Sequence, residues 1–401
     1  MRYLRYMLIF VPLAIVTEFF LHSPTLIFIS SALALIPLAG LLGEATEELA
    51  IHTGPKIGGL LNATLGNAAE LIITIVALSA GKYELVKASI TGSIIGNLLL
   101  ILGFALLLGG LRHGVQRFDR GLTGMSASMM LLAVAGLLIP TLFELMVEIQ
   151  EGRLDIFDTV VDDSRLDVIS LGVAGILIVI YVLSLIYQLR GPGATTPAHA
   201  VAGHGTTAAP AAGVEPGAGA RVCEADARPQ AGSSHTGVDI SDDIVHHTAK
   251  WSIRTSLAIL GVSTIVIVAM SEFLVGVVEP VAASLGVREL FLGIIVIPIV
   301  GNVAEHLVGV TSAMKNQMDL SMTISLGSSM QIALFVAPLL VFVSLLFGDE
   351  MTLFFSLFEV MVLGLAVLIA AFISLDGESN WLEGAMLLGL YLIAALGFFY
   401  L

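Results

Sequence analysis

The sequence predicts an all-α integral membrane protein with eleven transmembrane helices, one extra N-terminal helix plus two inverted five-helix repeats (helices 2–6 and 7–11). Three observations carry this prediction. Of the 401 residues, 57% are hydrophobic and 12% charged, about half the charged share of a soluble domain, and the mean hydropathy is +0.98. Apolar runs of about 20 residues, long enough to cross a bilayer, recur from end to end. Finally, a shift of 235 residues lays polar and glycine positions of the second half on those of the first.

The apolar runs fall at 6–22, 25–43, 57–80, 88–110, 121–147, 167–189, 251–278, 288–313, 320–347, 351–374 and 380–400. The first follows Arg2 and Arg5 and is interrupted by Glu18. With no small-x-small cleavage site after it, it reads as a retained helix and not a signal peptide. Residues 1–23 thus form the N-terminal helix, 24–190 the first five-helix repeat and 248–401 the second. Residues 191–247 between them are rich in Gly, Ala, Pro and Thr. Such a tract cannot build a core and reads as a flexible linker. Its histidines (His199, His204, His235, His246, His247) read as solvated side chains before they read as a metal sensor.

Taken alternately along the chain, twelve Lys and Arg residues fall on the side of the N-terminus and five on the other. Positive charge stays in the cytoplasm, so the N-terminus and linker are expected inside and the C-terminus outside, in a microbial cell membrane. The net charge of −15 argues against nucleic acid and suits cations. A single cysteine, Cys223, excludes an intrachain disulfide and a cysteine metal cage.

The repeat aligns Gly66-Asn67-Ala68-Ala69-Glu70 with Gly301-Asn302-Val303-Ala304-Glu305. It also aligns Gly92-Ser93 with Gly327-Ser328, Gly58 with Gly293, and Glu44 with Glu279. Only nine of 54 positions are identical between 44–97 and 279–332, but they concentrate at polar and glycine positions inside apolar helices. Chance similarity between membrane segments would match Leu and Val. Five helices is an odd number, so the second copy enters the membrane from the opposite face. Repeats of this kind build transporters whose half-sites meet near the midplane. Duplicated helices that only pack together would not need a glutamate in each copy, since a carboxylate in hydrocarbon costs at least about 2.5 kcal/mol.

In each motif Asn and Glu are three residues apart, which puts Asn67 with Glu70, and Asn302 with Glu305, on one helix face. Gly66 and Gly301 permit a break or a close approach, exposing backbone carbonyls. Amide, carboxylate and carbonyl oxygens together suit a hard cation such as Ca2+, and neither thiolates nor paired imidazoles are offered for zinc or copper. Ser93 with Asn97, and Ser328 with Gln331, add oxygens on adjacent helices. These serve equally as interhelical hydrogen bonds or as lining of the site. Two carboxylates match the charge of one Ca2+. Without it they would repel each other in low dielectric and take up protons, so competition for the same oxygens couples metal in one direction to protons in the other. His306, beside Glu305, is read either as a proton-handling or gating residue or as a packed neutral histidine. Glu44 and Glu279, at the ends of helices 2 and 7, either recruit cations at the two mouths or are solvated helix-end carboxylates. Pro298 is expected to bend its helix at the motif.

The segments "ATEELAIHTGPKIGGLLNATLGNAAELIITIVAL" (residues 45–78) and "GNVAEHLVGVTSAMKN" (residues 301–316) closely resemble the two repeats of the Ca2+/H+ antiporter (cation/proton exchanger) family, within the Ca2+/cation antiporter superfamily. The resemblance implies an inverted five-plus-five core and transported Ca2+ and H+ with no cofactor. It also implies Glu70 and Glu305 as shared ion and proton carriers, with Ser93, Ser328, Asn302 and Gln331 as polar neighbours. The strongly acidic helix that many relatives carry between the halves is not matched by the diluted acids of 191–247. A Na+-coupled exchanger of the same superfamily is the alternative, though the GTS-P-E style motif of those relatives is absent. A passive cation channel is a further one, opposed by the difficulty of releasing Ca2+ from two carboxylates without protons. Intramembrane hydrolysis lacks a nucleophile to accompany the carboxylates, so an enzyme is not expected.

Overall fold

The computed structural model describes residues 4–151, 164–190, 249–348 and 350–401. The expected linker at 191–247 lies outside the described residues. The chain opens with a tight 3-10 segment (Leu4–Ile9), helix α1 (Phe10–Val16) and a π-helical turn (Thr17–Leu21). The first repeat follows with α2 (Pro24–Gly54), α3 (Ile57–Leu65), α4 (Ala68–Ser79), α5 (Tyr83–His113), α6 (Arg120–Glu151) and α7 (Ser164–Arg190). The second comprises α8 (Ile253–Gly276), the short α9 (Val278–Leu285), α10 (Glu289–Met314), α11 (Met318–Ser344), α12 (Leu357–Asp376) and α13 (Trp381–Tyr400).

The expected eleven crossings are not matched in number. Among the described residues nine helices are long and apolar enough to span a bilayer, and the pair α3–α4, bent by 41°, makes a tenth. The run at 6–22 is not one of them, because changes of helical pitch split it into three short segments. It is nonetheless anchored: Ala14 and Thr17 are buried, and the Thr17 and Ser30 hydroxyls lie 2.9 Å apart.

Local chemistry explains the element ends. Pro24 occupies the first turn of α2, where a missing N–H costs nothing, and α2 ends at Gly54, whose φ of 81° is open to glycine but strained for other residues. The sequence placed the end of this helix near residue 43. The helix continues through Glu44–Leu49 because Ala45, Thr46, Glu48 and Leu49 are buried. The Glu48 carboxylate accepts from the backbone N–H groups of Lys250 and Trp251, at 2.8 and 3.1 Å. Helices α12 and α13 begin with capping boxes, Ser356 with Glu359 and Asn380 with Glu383, each satisfying otherwise orphaned N–H groups. Residues 351–356, expected to be helical, are not. The N–H groups of Met351, Leu353 and Phe355 instead donate to the hydroxyls of Ser344, Ser170 and Thr141, which meets the requirement that buried backbone be satisfied. A two-residue ladder, β1 (Gln116–Arg117) against β2 (Glu378–Ser379), joins the loops that precede α6 and α13.

The repeats interleave. The α2–α3 stretch packs on α8 and α10, α5 on α10 and α13, α6 on α11 and α12, and α7 on the end of α11. At the centre, α5 meets α10 at Gly92, where a Cβ would collide with the Ile294 carbonyl and the Pro298 ring. Helix α5 carries a π-helical turn at Gly96–Ile101, and α11 carries one at the equivalent register, Ile332–Val336. Helix α10 has its own at Leu292–Val296, and Pro298 falls in the first turn of the α-helix that follows. The expected distortion at Pro298 is thus placed just before the motif.

Candidate functional site

The break between α3 and α4 falls at Gly66–Asn67. Asn67 takes the N-cap position of α4 with φ −97° and ψ 27° but makes no cap hydrogen bond, because its amide is engaged elsewhere. Glu70 follows in the first turn of α4, which favours a negative charge through the helix dipole. The break exposes the carbonyl of Ala63, which accepts from the Tyr181 hydroxyl at 2.7 Å, and the Tyr181 ring stacks on Phe335 at 5.0 Å. The second motif behaves differently. Helix α10 runs unbroken through Gly301 and Asn302, so of the break or close approach expected at the two glycines only Gly66 stands at a break. Gly301 faces Glu70, and a Cβ there would meet Glu70 Cγ at 3.5 Å, an ordinary van der Waals contact.

The two motifs meet. Glu70, Asn67 and Asn302 are buried, Glu305 is half-buried, and Glu70 and Glu305 line the same cavity. Three acceptor atoms in this place are buried without a hydrogen-bond partner: Glu70 Oε1, Glu305 Oε2 and Asn302 Oδ1. Leaving a buried charged acceptor unpaired costs several kcal/mol, so the arrangement suits a cation.

The amides and hydroxyls form two hydrogen-bonded groups, each crossing between the repeats. Asn67 Nδ2 donates to Gln331 Oε1 at 2.6 Å, and the Ser328 hydroxyl donates to Asn67 Oδ1 at 2.8 Å. Asn97 Nδ2 donates to Ser328 Oγ at 3.1 Å, and the Nε2 of buried His306 lies 3.2 Å from Asn97 Oδ1. On the other side, Asn302 Nδ2 is shared between Ser93 Oγ at 3.4 Å and the Pro298 carbonyl at 3.1 Å. The polar residues predicted near the motifs thus divide between two groups, each joining both repeats, the larger being that of Asn67, Gln331, Ser328, Asn97 and His306. Asn97 is its central link, and its spacing from Ser93 was the only sequence signal for it.

A cavity of about 500 Å3 leads away from this site, lined by Glu70, Glu305, Gln331 and Tyr181 and, farther out, by Glu44 and the exposed Glu47. Glu44 is neither solvated nor free, because Arg5 Nη2 holds both its oxygens at 3.0 Å. Glu279 does not line this cavity. It bonds Lys82 at 2.8 Å, and Lys82 also reaches Glu289 at 3.4 Å. The hydrogen bond with Glu279 holds the Lys82 ammonium above its ordinary range, and the same bond holds the Glu279 carboxyl below its own. None of these pairings had a signal in the sequence, since the partners are 39 to 207 residues apart. Among the described residues no cluster of three or more His, Cys, Asp or Glu is placed to hold a metal ion, so any cation here relies on two carboxylates plus neutral oxygens.

A family model described as "Sodium/calcium exchanger protein" matches residues 23–190 and 255–400, which is both repeats. The chain belongs to that family. Within it the chain groups with the Ca2+/H+ antiporters. It is 41% identical to the "Ca(2+)/H(+) antiporter" of Aphanothece halophytica, over 98% of this chain and 95% of that one. It is also 41% identical to the protein of the same name from Synechocystis sp., over 98% and 96%. The crystal structure described as the "Ca2+/H+ antiporter" protein YfkE superposes with a TM-score of 0.75 at 32% identity, covering both chains fully. The protein is a multi-pass membrane protein of this exchanger fold.

Proposed function

We propose that the chain exchanges Ca2+ for H+ across a membrane by alternating access, with Glu70 and Glu305 carrying both ions. The observation that carries this reading is the meeting of one buried carboxylate from each repeat, with unpartnered oxygens, at the inner end of a cavity. The names of the relatives support the choice of ions.

Ca2+ takes six to eight oxygens in flexible geometry. The Glu70 and Glu305 carboxylates supply its counter-charge and Asn302 Oδ1 a neutral oxygen, water completing the shell from the cavity. When the ion leaves, the carboxylates repel each other in a poorly solvated site and bind protons instead. Protonation removes the charge that held Ca2+, so the carrier reorients loaded with one cargo or the other. Asn67, Gln331, Ser93 and Ser328 orient the half-sites, while Gly66 provides the bend and Gly301 faces Glu70. His306 keeps Asn97 oriented, in line with a packed histidine. Glu44, neutralised by Arg5, and Glu47 line the outer part of the cavity, and Glu279 belongs to the closed face. The N-terminus and linker lie in the cytoplasm of a microbial cell, which makes the cavity face the cytoplasmic one. Residues 24–190 and 248–401 are the two moving halves.

Purified protein in liposomes with an acidic interior should take up external Ca2+, read with a trapped dye, and the uptake should vanish when the proton gradient is collapsed. Uptake driven by a Na+ gradient instead would move the chain to the sodium-coupled relatives. Uptake without any opposing cation gradient would make it a channel.

A further inference from the structure

The two motifs are alike in sequence and opposite in hydrogen bonding. The repeat pairs Asn67 with Asn302 and Ser93 with Ser328, and each asparagine meets the serine of the other repeat. On one diagonal the Ser328 hydroxyl donates into Asn67 Oδ1 at 2.8 Å while Asn67 Nδ2 is spent on Gln331, so both amide atoms are engaged. On the other diagonal the sense is reversed. Asn302 donates through Nδ2 to Ser93 Oγ and to the Pro298 carbonyl, and its Oδ1 stays buried and unpartnered. That oxygen belongs to the residue three before Glu305 on α10 and next to Gly301, which faces Glu70, and Glu70 Oε1 and Glu305 Oε2 are likewise unpartnered. One amide is therefore available to a cation and its counterpart is masked by a hydroxyl.

A serine hydroxyl both donates and accepts, and switches role by rotating its O–H. Inverted repeats relate the state open to one face to the state open to the other by exchanging the two halves, which exchanges the diagonals. We propose that the amide ligand for the transported divalent cation alternates between repeats. Asn302 Oδ1 serves when the cavity opens at Glu44, and Asn67 Oδ1 serves when the opposite face opens, with Ser93 and Ser328 trading donor and acceptor roles. This rests on the exchange reading above and specifies its ligand set.

The bias toward the present arrangement has a source in the chain. Asn97 donates to Ser328 Oγ at 3.1 Å, which points the Ser328 proton at Asn67. The position equivalent to Asn97 is Ile332, so Ser93 has no corresponding donor. The exchanged arrangement needs no break in this link, because Ser328 Oγ has two lone pairs and accepts from Asn97 and Asn67 together.

The test is Ca2+/Ca2+ exchange, which needs no proton gradient, measured with the full chain in membrane vesicles of both orientations to give a half-saturating Ca2+ concentration for each face. Asn302→Ala should raise that of the Glu44 face about tenfold and leave the other face nearly unchanged, and Asn67→Ala should do the reverse; tenfold corresponds to about 1.4 kcal/mol. Ser328→Ala removes one hydroxyl and unmasks Asn67, so it should lower the half-saturating concentration on the Glu44 face. Equal shifts on both faces, no shift in a variant that still exchanges, or weaker binding in Ser328→Ala would overturn the alternation. Absence of proton-driven Ca2+ exchange in the unaltered protein would instead sink the underlying reading, so the two failures are distinguishable.

Discussion

The first repeat breaks its helix at the motif and the second does not, although Gly66-Asn67 and Gly301-Asn302 are the same pair of residues. The difference lies upstream. In the first repeat Gly54 has already ended α2, and the short α3 enters the site as an independent piece. In the second, a π-helical turn at Leu292–Val296 and Pro298 absorb the distortion before Gly301, and α10 passes through intact. The same Gly-Asn pair thus stands at a break in one repeat and inside a continuous helix in the other. One carboxylate sits at the start of a half-helix and the other on a continuous one, so a symmetric sequence yields an asymmetric site.

The largest expected effect tests whether the half-sites are equal in spite of this. Glu70→Gln and Glu305→Gln should each reduce proton-coupled Ca2+ uptake at least about 100-fold, the scale of losing one member of a buried charge pair. Survival of uptake in one of them would show that a single repeat carries the cargo. Next comes the contrast between equivalent glycines. Gly92 abuts the Ile294 carbonyl and the Pro298 ring, whereas a Cβ on Gly327 meets nothing within 4 Å. Gly92→Ala should destabilise the fold by about 1–3 kcal/mol, read as a lowered melting temperature in detergent, and Gly327→Ala should stay within about 0.5 kcal/mol. Equal shifts would refute the idea that α5 and α10 are held closed at that point. Smaller again is Tyr181→Phe, which leaves the Ala63 carbonyl at the break without its donor and should lower stability by about 1 kcal/mol. No change would mean that another group satisfies the hinge.

The smallest effect concerns the face away from the cavity. Glu279 is held below its ordinary range, so its contribution is present above that range and lost as pH falls through the lowered value. Lys82 is held above its ordinary range, so its contribution is present below that range and lost as pH rises through the raised value. Across neutral pH both are in place. The effect of Lys82→Met on exchange rate should therefore be the same throughout that window, and an effect that grows or fades across it would implicate a different titrating group.

The exchanger architecture was legible because bilayer physics leaves a strong pattern, in apolar runs of spanning length, and because two glutamates at matched positions have no structural excuse. The partners at the site were legible as types but not as contacts. Ser93 and Ser328 were recognisable from their equivalence, whereas the link through Asn97 breaks the symmetry and so escaped it. The helical continuation at Glu44–Leu49 was hidden by its charges, since Glu48 is buried by bonding backbone N–H groups 202 and 203 residues away. The ion pairs of Arg5 and Lys82 likewise depend on tertiary approach alone.

The π-helical turns hold a further consequence, for the direction in which side chains point along each helix. Each is a local extra residue that rotates everything after it relative to everything before. The turns in α5 and α11 fall at the same register of the two copies, so each copy re-aims its helix at the same point just after its serine. The turn in α10 has no twin in α3. The side chains beyond the serines are therefore re-phased alike in both copies, whereas the approach to the second glutamate is re-phased in one copy alone.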